Sequence, residues 1–375
     1  METTANKNSV KSERLMSLDV LRGFDMFWII GGGALVVSLS KLNALSFLEP
    51  VAIQMRHVEF EGFRFWDLIF PLFMFISGVT IPFAILSKVD KGISKKSLQF
   101  RIVKRAFILV ILGLLYNGTL QKGFADMRFA SVLGQIGLAY FIGATIVLQA
   151  KSVKVHALWL LVILVFISVL QLFVPVPGYG AGWFDPVKGM NAYVDQLLLP
   201  GRLSVGTYDR LGVLCIISAS VLVLMGYFAG RLLRQPNITP NRKALYLLGT
   251  GVLFILFALV LAPVYPVVKS FWTTTFNFLT AGISLVLLAV FYYVIDVRKL
   301  RGRVFSHVLF FFKVIGLNSI TIYMAARILP FREISGFFTG WLVEPAGTWI
   351  MIAGAITLEW LLLYYLYQQK IFLKV

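Results

Sequence analysis

One cysteine, three histidines and few charges mark this chain of 375 residues. The lone Cys215 excludes a disulfide framework and a cysteine-built metal cluster. Charged residues make up 14% of the chain, against about 25% in soluble domains. That shortage excludes an ordinary soluble enzyme. The histidines, His57, His156 and His307, are too scattered to form a metal site, so no metal is expected. There is no Walker loop, no dinucleotide fingerprint and no GxSxG elbow. There is also no fixed-period repeat and no low-complexity tract. What the chain has instead is apolar sequence: 59% hydrophobic and 15% aromatic. The apolar residues run continuously and do not alternate, which excludes a β-barrel.

The fold class expected is all-α, a polytopic membrane bundle of about ten helices. The spans fall near 18–39, 66–87, 103–120, 130–149, 156–174, 211–230, 244–265, 274–295, 308–329 and 348–367. Residues 1–16 read as a cytoplasmic tail and 17–375 as one transmembrane domain. The net charge of +18 could signal nucleic acid in a soluble protein. Here the loops decide. With the N-terminus inside, inner segments carry 22 Lys and Arg and the outer loops ten. The charge is then a topology signal, both termini are cytoplasmic, and nucleic acid is not an expected partner. Anionic lipid is attracted to the inner face. Three outer segments, 40–65, 175–210 and 330–347, are longer than simple turns. The stretch NAYVDQLLLP has apolar residues at helical spacing and suits the membrane interface.

Ionisable residues inside spans are costly and usually functional. Asp19, Arg22 and Asp25 are spaced i, i+3, i+6, so Arg22 can bridge either acid. A structural ion pair and a face for an anionic ligand are about equally plain readings. The GGG at 31–33 reads as helix packing. Asp67 opens the second span, where the helix dipole favours an acid. Pro71 and Pro82 imply kinks in that span. His57 lies ten residues upstream, with Glu59 and Glu61 between. A lone loop histidine is usually just solvated, but an imidazole oriented by a carboxylate can act as base or nucleophile. His156 and His307 read as interfacial. Other polar residues in apolar runs are Asn117, Ser131, Gln135, Lys313, Asn318, Arg327 and Glu359, with Glu359 placed to pair with Arg327.

These stretches also carry a resemblance. SLDVLRGFDMFWIIGGG at 17–33 and HVEFEGFRFWDLIFPLFMFISGV at 57–79 are its most specific parts. RFASVLGQIGLAYF, AYVDQLLLPGRL, PVVKSFWTTTF and IGLNSITIYM support it. The chain resembles the transmembrane acyltransferases typified by heparan-α-glucosaminide N-acetyltransferase. It is most similar to their short bacterial members, some of which are labelled N-acetylglucosamine-related transporters. The resemblance implies a catalytic histidine in a pattern like H-x-x-W-x-G ahead of DLxxP. Here His57, Phe60 and Gly62 stand in that pattern, followed by Asp67 and Pro71, with phenylalanine replacing tryptophan. Ile30 stands where the family has a helpful asparagine. Leu133, Gly134 and Gln135 stand where it has leucine-glutamine-arginine. The large N-terminal domain of the animal enzyme has no counterpart here.

The resemblance implies acetyl transfer from cytoplasmic acetyl-CoA, or another acyl-CoA, to an extracytoplasmic amino sugar or glycan. His57 is the expected catalytic residue. Glu61, Asp67, Arg128, Gln135, Lys269 and Asn318 are the expected acceptor contacts. Asp19, Arg22, Arg101, Lys104 and Arg105 are the expected donor contacts. A base must be unprotonated, so activity should fall below the ordinary imidazole pKa of about 6–7. The short outer loops and the resemblance together suggest a bacterial inner membrane. The alternative is a secondary transporter of amino sugar without acyl transfer. A scaffold or receptor role and a homodimeric state stay open.

Overall fold

The computed structural model describes residues 15–119, 123 and 126–373. The tail cations Lys7, Lys11 and Arg14, and Lys122 and Lys374, lie outside the described residues, as does nearly all of the 1–16 tail.

Among the described residues the chain is helical, with only three isolated β-bridges. Eight helices are long and apolar enough to cross a membrane. They are α1 (Met16–Leu39), α2 (Phe65–Val89), α4 (Val132–Gln149), α5 (Val153–Leu172), α7 (Val213–Arg234), α8 (Pro240–Leu261), α9 (Thr274–Val297) and α13 (Trp349–Gln368). A ninth span is the pair α10 (Arg303–Leu317) and α11 (Ser319–Ile328), bent by 74°. The remaining expected span is α3 (Lys95–Tyr116), a 22-residue helix. Arg101, Lys104 and Arg105 in its first half give it more charge than the apolar windows of the others carry. The protein is therefore an integral, polytopic helical membrane protein.

Local sequence explains many of the ends. The side chains of Ser94, Ser131, Ser152 and Thr273 accept backbone N–H groups at the starts of α3, α4, α5 and α9. Within α1 a π-turn spans Trp28–Gly32. Within α2 a second spans Pro82–Leu86, where proline cannot continue the regular ladder.

Packing sorts the spans into centre and rim. The central helices α2 and α7 have 78% of their apolar windows buried, while α5 and α8 have 22%. The latter two therefore turn most of their surface to lipid. Glycines let α2 and α7 touch backbone to backbone. A Cβ on Gly226 would lie 2.1 Å from the Phe75 carbonyl oxygen, and one on Gly230 2.2 Å from that of Val79. Gly23 and Gly316 make a similar crossing of α1 and α10.

The NAYVDQLLLP stretch forms a short helix, α6 (Met190–Leu198), with Leu197 and Leu198 exposed. The 330–347 segment holds another, α12 (Phe331–Thr339), from which Phe337 and Phe338 project outward, as does Trp341 just after it. One polar pairing differs from the sequence reading. Arg327 sits over the Tyr116 ring, 5.7 Å from its centroid, and does not meet Glu359. Arg22 lies 3.5 Å from Asp19, one of the two acids within its reach, while both Asp25 oxygens are buried with no hydrogen-bond partner among the described residues.

Candidate active site between His57, Asp67 and Lys269

The site lies at the end of the bundle where α1 ends and α2 begins. Asp67 stands in the first turn of α2, three residues after the extended residue Arg64. Its Oδ2 accepts the backbone N–H groups of Arg64, at 3.2 Å, and Val58, at 3.3 Å. The acid thus caps its own helix and fixes the loop before it. Its Oδ1 faces His57 Nδ1 at 2.7 Å. An ionised carboxylate can only accept, so Nδ1 carries a proton; in the neutral ring that leaves Nε2 as the nitrogen with the lone pair. Asp67 is almost fully buried, whereas half of the His57 side chain is exposed. Arg64 Nη1 donates to the His57 carbonyl at 2.9 Å and holds the histidine backbone.

A second loop closes on the first. Gly62, at φ 109°, donates its N–H to the Val267 carbonyl, and Glu61 pairs with Val268 in an antiparallel bridge. That bridge delivers Lys269, whose Nζ lies 3.2 Å from Asp67 Oδ1 and 3.3 Å from His57 Nδ1. Burial pulls the Lys269 amine below the ordinary lysine range, against the raising effect of the Asp67 charge.

These groups border an open cavity of about 520 Å³. Its polar wall adds Glu59, Arg128, Ser204, Arg210 and Ser270. Its apolar wall includes Ile29, Trp66, Phe70, Tyr116, Trp272 and Tyr323. Arg128 is fixed by two 2.7 Å hydrogen bonds to the buried Asp209. Asp209 also accepts from the backbone N–H of Ser204 and Leu211, so it shapes the loop that carries Ser204 and Arg210. Beneath that loop, Asp195 takes the N–H groups of Asp209 and Val213. Burial pushes the Asp195 carboxyl up to about 6.

The cavity floor is apolar. Ile29, Phe70, Val132 and Tyr323 also border a void of about 20 Å³. One turn deeper on the same four helices, Met26, Phe73, Ile136 and Ile320 close it. The void has room for about one methyl-sized group.

The structure brings four of the expected residues, His57, Asp67, Arg128 and Lys269, to one cavity. Glu61 is exposed and does not line it. Gln135 is buried and donates to the Cys215 carbonyl at 3.1 Å. Asn318 sits at the α10–α11 break, where it donates to the Ile371 carbonyl and accepts the Leu373 N–H. Both amides satisfy backbone groups of neighbouring segments. Asp19, Arg22, Arg101, Lys104 and Arg105 line neither the cavity nor its floor. They lie in the first halves of α1 and α3, with the Arg105 guanidinium stacked 4.1 Å over Tyr140. Asp209, Arg210 and Trp66 were not singled out from sequence. Asp209 lies 81 positions from Arg128, a separation that carries no local signal.

Comparison with known proteins agrees with the resemblance. The family described as a domain of unknown function (DUF5009) matches residues 14–121. Heparan-alpha-glucosaminide N-acetyltransferase of Mus musculus is 26% identical over 383 residues, covering 85% of this chain and 56% of the relative. That of Homo sapiens is 26% identical over 385 residues, with the same coverage. The chain spans about half the length of these curated relatives. The chain is thus distantly similar to the heparan-alpha-glucosaminide N-acetyltransferases.

Proposed function

We propose that this protein is a transmembrane acetyltransferase that uses His57 to acetylate an amine in the cavity. The observation that carries this reading is the Asp67-oriented imidazole, 2.7 Å from its carboxylate, on the wall of an open 520 Å³ cavity. The donor is an acetyl thioester of the coenzyme A class, as the names of the homologues imply. The acceptor is an amino sugar or glycan. The amine attacks the thioester carbonyl and passes its proton to His57 Nε2. A carbon–nitrogen bond forms, the carbon–sulfur bond breaks, and the departing thiolate takes that proton from His57. If Nε2 itself attacks first, a nitrogen–acyl bond forms as the carbon–sulfur bond breaks, giving an acetyl-imidazolium and a thiolate; the amine then displaces the neutral imidazole, and the proton the amine loses ends on the thiolate.

The opposite end of the bundle suits the donor. Arg22, Arg101, Lys104 and Arg105 supply positive charge for its phosphates, and the buried Arg105 Nε has no hydrogen-bond acceptor among the described residues. By the positive-inside rule that end is cytoplasmic, and His57 faces out. A bacterial inner membrane fits this arrangement. The test is purified protein with acetyl-CoA and a panel of amino sugars, read by mass spectrometry. Acetylated product from wild type and none from His57→Ala is expected. Product from both removes His57 from the chemistry.

One observation favours a second reading. The α10–α11 span is broken by 74° at Asn318, and broken spans often line transport paths. Uptake of labelled amino sugar into vesicles lacking acyl-CoA is the corresponding test.

A further inference from the structure

The second contact of Asp67 Oδ1 changes what the Asp67–His57 pair can do. In an isolated carboxylate–imidazole pair, the negative charge stabilises the imidazolium and so favours protonation. Here Lys269 Nζ shares the same oxygen at 3.2 Å and lies 3.3 Å from His57 Nδ1. Nδ1 already gives its proton to Asp67, so it cannot also accept one from the ammonium. Towards the imidazole, Lys269 acts as a charge.

The position is built, not incidental. Lys269 begins a short 3-10 turn, Lys269–Phe271. The Glu61–Val268 bridge anchors it on one side. On the other, Trp272 is buried in the left-handed region at φ 49°, which a non-glycine side chain rarely adopts. The lysine side chain is 20% exposed. The other charges around the cavity are Glu59 and Arg210 on its wall, Arg64 on the His57 carbonyl, and Arg128, which Asp209 already pairs.

We propose that Lys269 is a positioning residue that cancels the Asp67 charge and thereby holds His57 as the neutral Nδ1–H imidazole. Asp67 then orients the ring without stabilising its cation. The Nε2 lone pair stays available in mildly acidic surroundings. An acetyl-imidazolium on Nε2, which is also cationic, gains no added stability and passes its acetyl group on more readily. This last consequence rests on the acetyltransferase reading; the protonation state of His57 does not.

The experiment is the pH dependence of His57 modification by diethyl pyrocarbonate, which reacts with neutral imidazole. Mass spectrometry of the His57 peptide separates it from His156 and His307. Wild type is compared with Lys269→Met and Lys269→Arg. Removing the cation favours protonation, so Lys269→Met should move the midpoint up by about one pH unit. Lys269→Arg should keep it near wild type. A midpoint unmoved or lowered in Lys269→Met overturns the assignment. If Lys269→Met does not fold, Lys269→Gln replaces it under the same two outcomes. Acetyl transfer by the same samples is measured alongside. A shifted midpoint with no transfer by wild type sinks the acetyltransferase reading alone; transfer with an unshifted midpoint sinks the Lys269 assignment alone.

Discussion

Asp67 and His57 stand ten residues apart and meet at 2.7 Å, because the acid that caps α2 also orients the ring. One carboxylate serves both ends. Asp67→Asn should therefore act on two measurements at once. Its amide can still accept one hydrogen bond, but it no longer fixes the Nδ1–H tautomer. The turnover number should fall by about 100-fold or more, with a smaller change in KM. An equal turnover number would separate the carboxylate from the chemistry.

Arg128 and Asp209 give the second prediction. Asp209 is fully buried, and Arg128 is its only side-chain cation partner among the described residues. Arg128→Met leaves that charge unpaired, at a cost of about 3–5 kcal/mol. The loop around Ser204 and Arg210 should loosen and become sensitive to protease near residues 200–212. Arg128→Lys should rescue only partly, because a lysine cannot make the two-pronged contact. Limited proteolysis of the three proteins checks the order.

Asp195 makes the same loop sensitive to pH. Its carboxyl is pushed up to about 6, above the ordinary aspartate value of about 3.9. The folded loop therefore holds its proton more tightly than the unfolded chain does. The resulting stability is full below about pH 4 and is lost as pH rises through about 6. Hydrogen exchange at residues 204–213, corrected for intrinsic rates, should show more protection at pH 4 than at pH 7. Asp195→Asn should flatten that difference.

The α2–α7 contact positions the base of the site. A Cβ on Gly226 would meet the Phe75 carbonyl oxygen at 2.1 Å. Gly226→Ala must push the helices apart, and α2 carries Asp67. Lower thermal stability in detergent and reduced transfer should appear together. Gly249→Ala is the control, since a Cβ there meets nothing within 4 Å.

The sequence made some of this readable and hid the rest for physical reasons. Apolar runs are local, so the spans emerge directly. His57 emerges with three nearby acids, Glu59, Glu61 and Asp67, because one short segment holds them all; that Asp67 is the one bonded to the ring is visible only in the structure. Sequence alone offers Lys269 as a substrate contact; its approach to His57 crosses 212 positions and depends on the bridge between Glu61 and Val268. Gln135 and Asn318 show the opposite limit. A polar residue in an apolar run satisfies the backbone of a neighbour as readily as it binds a ligand. The bend at Asn318 has no proline to announce it, and the Asn318 side chain there bonds residues 371 and 373, more than fifty positions away.

The central claim is transfer across the membrane at His57. The direct measurement is acetylated amino sugar inside sealed vesicles, with acetyl-CoA supplied only at the face bearing the starts of α1 and α3. Wild type should accumulate product inside, and His57→Ala, folded and equally abundant, should not. Equal product from His57→Ala, or none from wild type across the acceptor panel, would contradict the account.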